Sequence, residues 1–253
     1  MRSLCLLVLT FLCIAVHRLP ADGIIQRLPE DGTWVRYTLK TTQTSPGKGE
    51  PFVSEGTITI ASVGKEDVKG EACRWVEIVI ESWLKDRKES KETAKTLFKA
   101  LIPEKYLKKG ADPRGHWVKG WAKIGNQKLQ AITPELLASP QLNLNLLTAP
   151  WQETKSLKKK AFQTNLGELQ CEGLSGQLVL KDGIVDNING MVTKRNAIMR
   201  FQGYFHEKAP FGVAWLEVSL EPESRTENDA SHREVLSLQE VGSDAKSALP
   251  DAK

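Results

Sequence analysis

The sequence predicts a mainly β protein, a strongly curved antiparallel sheet with a few short helical pieces on its concave side. Three observations carry that expectation. Apolar and polar residues alternate with period two through several segments, clearest in Trp75 to Trp83 (WVEIVIESW). Turn chemistry separates these segments at short intervals. Long stretches of helical periodicity are scarce. Many strands with few helices are accommodated by a sheet that curves or closes on itself.

The chain opens on a cationic Met1-Arg2-Ser3, an apolar run from Leu4 to Val16, and a small residue at Ala21. That order reads as a secretory signal over residues 1–22, cleaved near Ala21. The run is short for a bilayer span, which needs about 17–25 residues. The expected destination is the periplasm or the extracellular space, which argues against nucleic acid as a partner.

The folded domain is expected over residues 23–220. Val35, Tyr37 and Leu39 alternate with Arg36, Thr38 and Lys40 in a first strand. Ser45 to Gly49 (SPGKG) supplies a turn and lacks the spacing of a phosphate loop. Thr57 to Ile60 repeats the alternation. In the next strand Val76, Ile78 and Ile80 share one face; Glu77 and Glu81 share the other with Trp75, Val79 and Trp83. The glutamates read as a solvated or sheet-edge face rather than as the paired acids of a glycosidase. Lys85 to Ser90 is a polar hairpin connection. In residues 94–102, Ala94, Leu97, Phe98, Leu101 and Ile102 stand at helical spacing, but the need for a hairpin partner favours a strand.

Pro103 to Gly110 predicts a short helical turn, opened by proline and stopped by glycine. Thr133-Pro134 predicts a second helix, ending near Ser139, and Leu142 to Leu147 is an apolar patch of either kind. Beyond Lys158 the β character returns. Asp182-Gly183 and Asn189-Gly190 are hairpin signals, and strands are expected at about 196–206 and 211–218. Residues 221–253 hold eight acidic and four basic residues with few bulky ones. They are expected to form a disordered polar tail, with a weak helix around Val235 to Val241 as the alternative. The body that remains carries +7 out of a total of +4, a basic balance most simply read as scattered solubilising lysines.

Two cysteines remain outside the signal, Cys73 and Cys171, and export leaves two readings open. They form a disulfide, or they are two buried thiols that never meet. No catalytic or metal site is predicted. His116 and His206 lie far apart without companions at ligand spacing. Gly173-Leu174-Ser175-Gly176 lacks the final glycine and the strand–helix setting of a nucleophile elbow. No cofactor is expected. The strand from Trp75 to Trp83 is apolar on both faces, and Trp117 and Trp121 fall on one strand face. A strand with two apolar faces is buried twice or lines a cavity. Trp75, Val79, Trp83, Trp117 and Trp121 are therefore the candidate ligand-lining residues, with core packing as the alternative.

The block Leu101 to Gly110 (LIPEKYLKKG), with Asp112-Pro113 and Gly120-Trp121, resembles exported bacterial proteins of uncharacterised role. So does Ala209 to Ala214 (APFGVA), where alanine stands in place of a usual valine. The resemblance implies the half-barrel of the lipoprotein carriers (LolA/LolB-like), whose concave face holds acyl chains. No acyl-binding residue of those carriers maps onto this sequence, so the function transfers as a fold-level analogy. The expectation is a non-enzymatic protein that binds a lipid or a lipoprotein acyl chain. Its alternative is a structural or protein-interaction component of the cell envelope with a protein partner.

Overall fold

The computed structural model describes residues 25–44, 50–84, 94–109, 111, 113, 116–133, 151–188, 191–224 and 229–249. The predicted signal, the turns at 45–49, 85–90 and 189–190, the helix at 133–139 apart from Thr133, and the patch at 142–147 lie outside them.

Eleven strands form one antiparallel sheet. They are β1 (Trp34–Thr44), β2 (Phe52–Val68), β3 (Glu71–Leu84), β4 (Ala94–Pro103), β5 (Lys119–Ile124), β6 (Gln130–Ala131), β7 (Gln152–Thr164), β8 (Gly167–Ile188), β9 (Met191–Phe205), β10 (Val213–Pro222) and β11 (Ser231–Gly242). Their order is β6-β5-β4-β3-β2-β1-β11-β10-β9-β8-β7. Two meanders thus run outward from a central β1–β11 pair, where Leu39 meets Leu236 and Tyr37 meets Leu238.

Period-two alternation puts one apolar row per strand on the core face. Val35, Tyr37, Ile58, Ile60, Val76, Ile78, Phe98 and Ala100 come from one meander, and Leu216, Leu236, Leu238, Phe201 and Met199 from the other. Tyr37 is fully buried, and its hydroxyl donates to the Val213 carbonyl at 3.2 Å. Burial pushes its phenol far above the ordinary range.

The predicted curvature and helices are corrected. The meanders end on separate edges, β6 and β7, and the sheet is neither closed nor strongly curved. Among the described residues there is no α-helix on either face. The turn expected at Pro103–Gly110 is a single 3-10 turn, Glu104–Tyr106. It is pinned by Arg74, a buried side chain of β3 that reaches Glu104 at 2.7 Å and the Ser62 hydroxyl at 2.8 Å.

Two further expectations change. Asp182-Gly183 does not turn the chain; β8 runs through it with a register shift between Leu180 and Ile184, so the dipeptide sits at a bulge. The polar tail expected from residue 221 contains β11, a strand at the middle of the sheet. Its overall composition is polar, yet Leu236 and Leu238 stand two apart and bury against β1 and β10. One apolar face is all that a half-buried strand needs.

Cys73 and Cys171 are both buried free thiols. They sit on β3 and β8, six strand steps apart along the sheet. Each step is about 4.8 Å, whereas a disulfide needs Cα atoms within about 7 Å. Of the two readings, the separate thiols match the structure.

Candidate functional site

The five predicted ligand-lining residues do not converge on a cavity. Trp75 of β3 and Trp121 of β5 do meet, with stacked rings 5.4 Å apart, on the face opposite the core. Lys99 and Lys119 each hold their ammonium 5.1 Å from the Trp75 ring. The Trp75 indole donates to Glu66 at 3.2 Å, and Lys119 pairs with the same carboxylate at 2.9 Å. Val79 and Trp83 lie further along that face, half-buried. Trp117 instead packs against the core cluster. The indole nitrogens of Trp83 and Trp117 are buried without a hydrogen-bond partner among the described residues. This is a packed aromatic and cationic surface rather than a pocket.

A cavity with an apolar wall lies at the β7–β9 end of the sheet. A space of about 450 Å³ opens between β7, β8, the end of β9 and the segment at Gln26-Arg27. Leu157 of β7, Leu174 of β8 and Phe205 of β9 supply apolar wall. Arg27, Lys109, Glu172, His206 and Glu207 bring charge and hydrogen-bonding capacity to the same lining. Glu172 is also paired with Lys159 at 2.5 Å.

Backbone geometry makes the room. Gly173 stands where a β-carbon would come within 2.8 Å of both Leu157 Cβ and the Tyr204 ring, so only glycine lets these walls approach. The chain from β9 to β10 closes in a tight loop in which the His206 amide donates to the Gly212 carbonyl at 2.9 Å. The Gln26 amide donates to Phe211 O at 2.8 Å and ties the loop to the segment before β1. Phe211 is wholly buried at φ 60°, and Gly212 follows at φ 96°. A left-handed phenylalanine is a costly conformation held in place by its surroundings.

His206 Nδ1 accepts from the Lys208 amide at 3.0 Å, so its neutral ring carries the proton on Nε2. His116 stacks flat on Tyr106 at 3.6 Å. Among the described residues no group of three or more His, Cys, Asp or Glu is arranged to hold a metal.

Leu157, Leu174, Phe205, Arg27 and Lys109 were not singled out by sequence reasoning. The signals near them were Leu101 to Gly110, which contains Lys109, and Ala209-Pro210-Phe211-Gly212, whose loop borders the cavity through Gly212. What unites the lining is register between strands, which no local pattern reports.

No protein-family model matches the chain, and no curated protein is similar to it in sequence. Solved structures are similar to it over most of their length. A DUF1329 family protein from Desulfovibrio piger shares 9% identity, covering 87% of this chain and 88% of that one, with a TM-score of 0.33. A putative outer membrane lipoprotein-sorting protein domain from Vibrio parahaemolyticus shares 9%, covering 88% and 89%, with a TM-score of 0.31. A LolA superfamily protein from Nitrosomonas europaea shares 8%, covering 90% and 92%, with a TM-score of 0.30. Two of these belong to the group that the sequence resemblance named, a lipoprotein-sorting domain and a LolA superfamily protein. At such identities and TM-scores the likeness carries no further argument.

Proposed function

We propose that the chain is an exported, non-enzymatic binding protein. In this reading it holds the apolar part of an amphipathic molecule, a lipid or lipoprotein acyl chain, in the cavity at the β7–β9 end. The observation that carries the reading is the lining itself. About 450 Å³ bounded by Leu157, Leu174 and Phe205 falls within the range of small-molecule sites, about 300–1,000 Å³. Apolar wall favours a hydrocarbon body by removing it from water. Arg27, Lys109 and His206 in the same lining offer donors to a polar headgroup, and Glu207 an acceptor. The apolar leader of residues 4–16 supports export.

The test is binding of a fluorescent fatty-acid probe to the full-length protein and to Leu157→Trp. Leu157 is half-buried, so an indole there fills the cavity without entering the deepest core. The expected result is saturable binding to the parent, weakened at least tenfold by the substitution with thermal stability unchanged. Binding unaltered by Leu157→Trp, or no binding to a folded parent, would overturn the proposal.

A further inference from the structure

Part of the basic charge read in the sequence gathers at the mouth of the β7–β9 cavity. Arg27 and Lys109 belong to its lining, and both are exposed. Lys158 and Lys159 follow the wall residue Leu157. Lys208 follows Glu207, with its amide on the His206 ring. These three lysines are exposed as well. Two acids of the lining face the group. Glu172 is already paired with Lys159 at 2.5 Å, which leaves Glu207. Among the described residues Arg27, Lys109, Lys158 and Lys208 form no ion pair. Like charges gathered at one rim repel each other, so the collar favours a negatively charged surface in front of it.

Aromatic rings adjoin this collar. The register of β7 shifts between Leu157 and Lys160, and the bulge puts both on one face, opposite Gly173 and Cys171 of β8. There the rings of Phe162, Tyr204 and Trp215 pack together, with centroids 5.0, 5.8 and 6.1 Å apart. The exposed Lys160 holds its ammonium 5.1, 5.7 and 5.9 Å from the Phe162, Tyr204 and Trp215 centroids. Phe162 and Trp215 are half-buried. Tyr204 lies against Gly173 of the cavity wall, 2.8 Å from where a β-carbon would stand. Tryptophan and tyrosine settle at the headgroup level of a bilayer, and lysines beside them meet anionic headgroups.

We propose that the cavity rim and the β7 edge form a docking surface for an anionic lipid bilayer. The cations come from separate stretches of chain, at 27, 109, 158–160 and 208, and ring an open mouth. An extended plane of negative charge engages them together, whereas no cluster of polar groups is built around one small anion. Each basic residue held near such a surface strengthens binding about fivefold. The docking stands on charge and on the aromatic cluster alone. That it turns the mouth toward a source of lipid rests on the ligand proposed for the cavity.

The test is flotation of the protein, purified from an exporting host, with two kinds of vesicle. One holds equal parts of phosphatidylglycerol and phosphatidylcholine; the other is phosphatidylcholine alone. Binding to the anionic vesicles is expected to exceed binding to the neutral ones at least tenfold, and to fall as salt is raised. Lys158→Glu combined with Lys208→Glu should weaken it at least tenfold. Neither residue lines the cavity, so this variant should bind a fatty-acid probe in solution as the parent does. Lys123→Glu with Lys128→Glu changes the net charge equally near β5, at the opposite end of the strand order, and should leave docking within about twofold. Equal binding to both vesicles, or equal losses in the two double variants, would overturn the proposal. So would a folded parent that ignores the anionic vesicles, which would leave an acidic protein as the occupant. A parent that docks on the anionic vesicles yet takes up no fatty-acid probe would overturn the cavity reading and uphold the docking.

Discussion

Replacing Leu236 with alanine measures whether the chain beyond residue 221 belongs to the fold. Leu236 is 2% exposed and sits between Leu39 of β1 and Leu216 of β10, both buried. Burying a leucine side chain is worth about 1.5–3 kcal/mol by transfer. The cavity left between two strands that cannot close up adds to that loss, and Leu→Ala at such sites costs about 2–5 kcal/mol in all. We expect about 3 kcal/mol here, because both cross-strand partners are fixed by the ladder. For a body of this size each kcal/mol lowers Tm by about 2–4 °C, so the shift should be about 6–12 °C. Urea unfolding followed by far-UV circular dichroism gives the free-energy change, with exposed Lys246→Ala as the control near zero. A Leu236→Ala change within about 0.5 kcal/mol of the parent would refute the placement of β11, since a substitution in an unpacked tail costs no more than that.

Other outcomes follow from the same structure. Tyr37→Phe removes the donor to the buried Val213 carbonyl and should cost about 1 kcal/mol in the same urea experiment; an unchanged midpoint would show that the hydroxyl is not paired there. Cys73 and Cys171 should each label with a thiol reagent after denaturation without reductant, assigned by peptide mapping, and resist it in the native state. A recovered Cys73–Cys171 bridge would contradict the strand order. Burial pushes the Cys171 thiol up to about 11. Between the ordinary thiol value of about 8.5 and 11 the folded chain keeps a proton that the unfolded chain has released. Stability should therefore fall as pH rises through that window, and fall less steeply in Cys171→Ala; parallel pH curves would contradict the burial.

Much of the sheet was readable from local pattern, because period-two alternation is a property of each strand alone. Val76, Ile78 and Ile80 bury or half-bury on the face the sequence assigned to them, and residues 94–103 pair with β3 as a hairpin partner should. What misled was averaging. The composition of residues 221–253 hid Leu236 and Leu238, two apolar positions that suffice once β1 and β10 flank them. Asp182-Gly183 has turn chemistry, but strand pairing on both sides outweighs it. Curvature was inferred from the number of strands and from a family likeness, neither of which fixes how meanders join. The helices were inferred from proline, glycine and capping signals at 103–110 and 133–139, of which the first yields only a 3-10 turn. Glu77 looked solvated, though residues 247–249 bond to it and it is buried, because alternation reports a face and not what later covers it. The cavity was beyond reach for the same reason, since Arg27, Leu157, Leu174 and Phe205 meet only through pairings far apart in sequence.

The most direct measurement is native mass spectrometry of the full-length protein purified from an exporting host, followed by organic extraction. The proposed function predicts a bound mass in the lipid range that is released by solvent and absent from Leu157→Trp. A clean unliganded mass from a folded protein that also fails to take up a fatty-acid probe would contradict it.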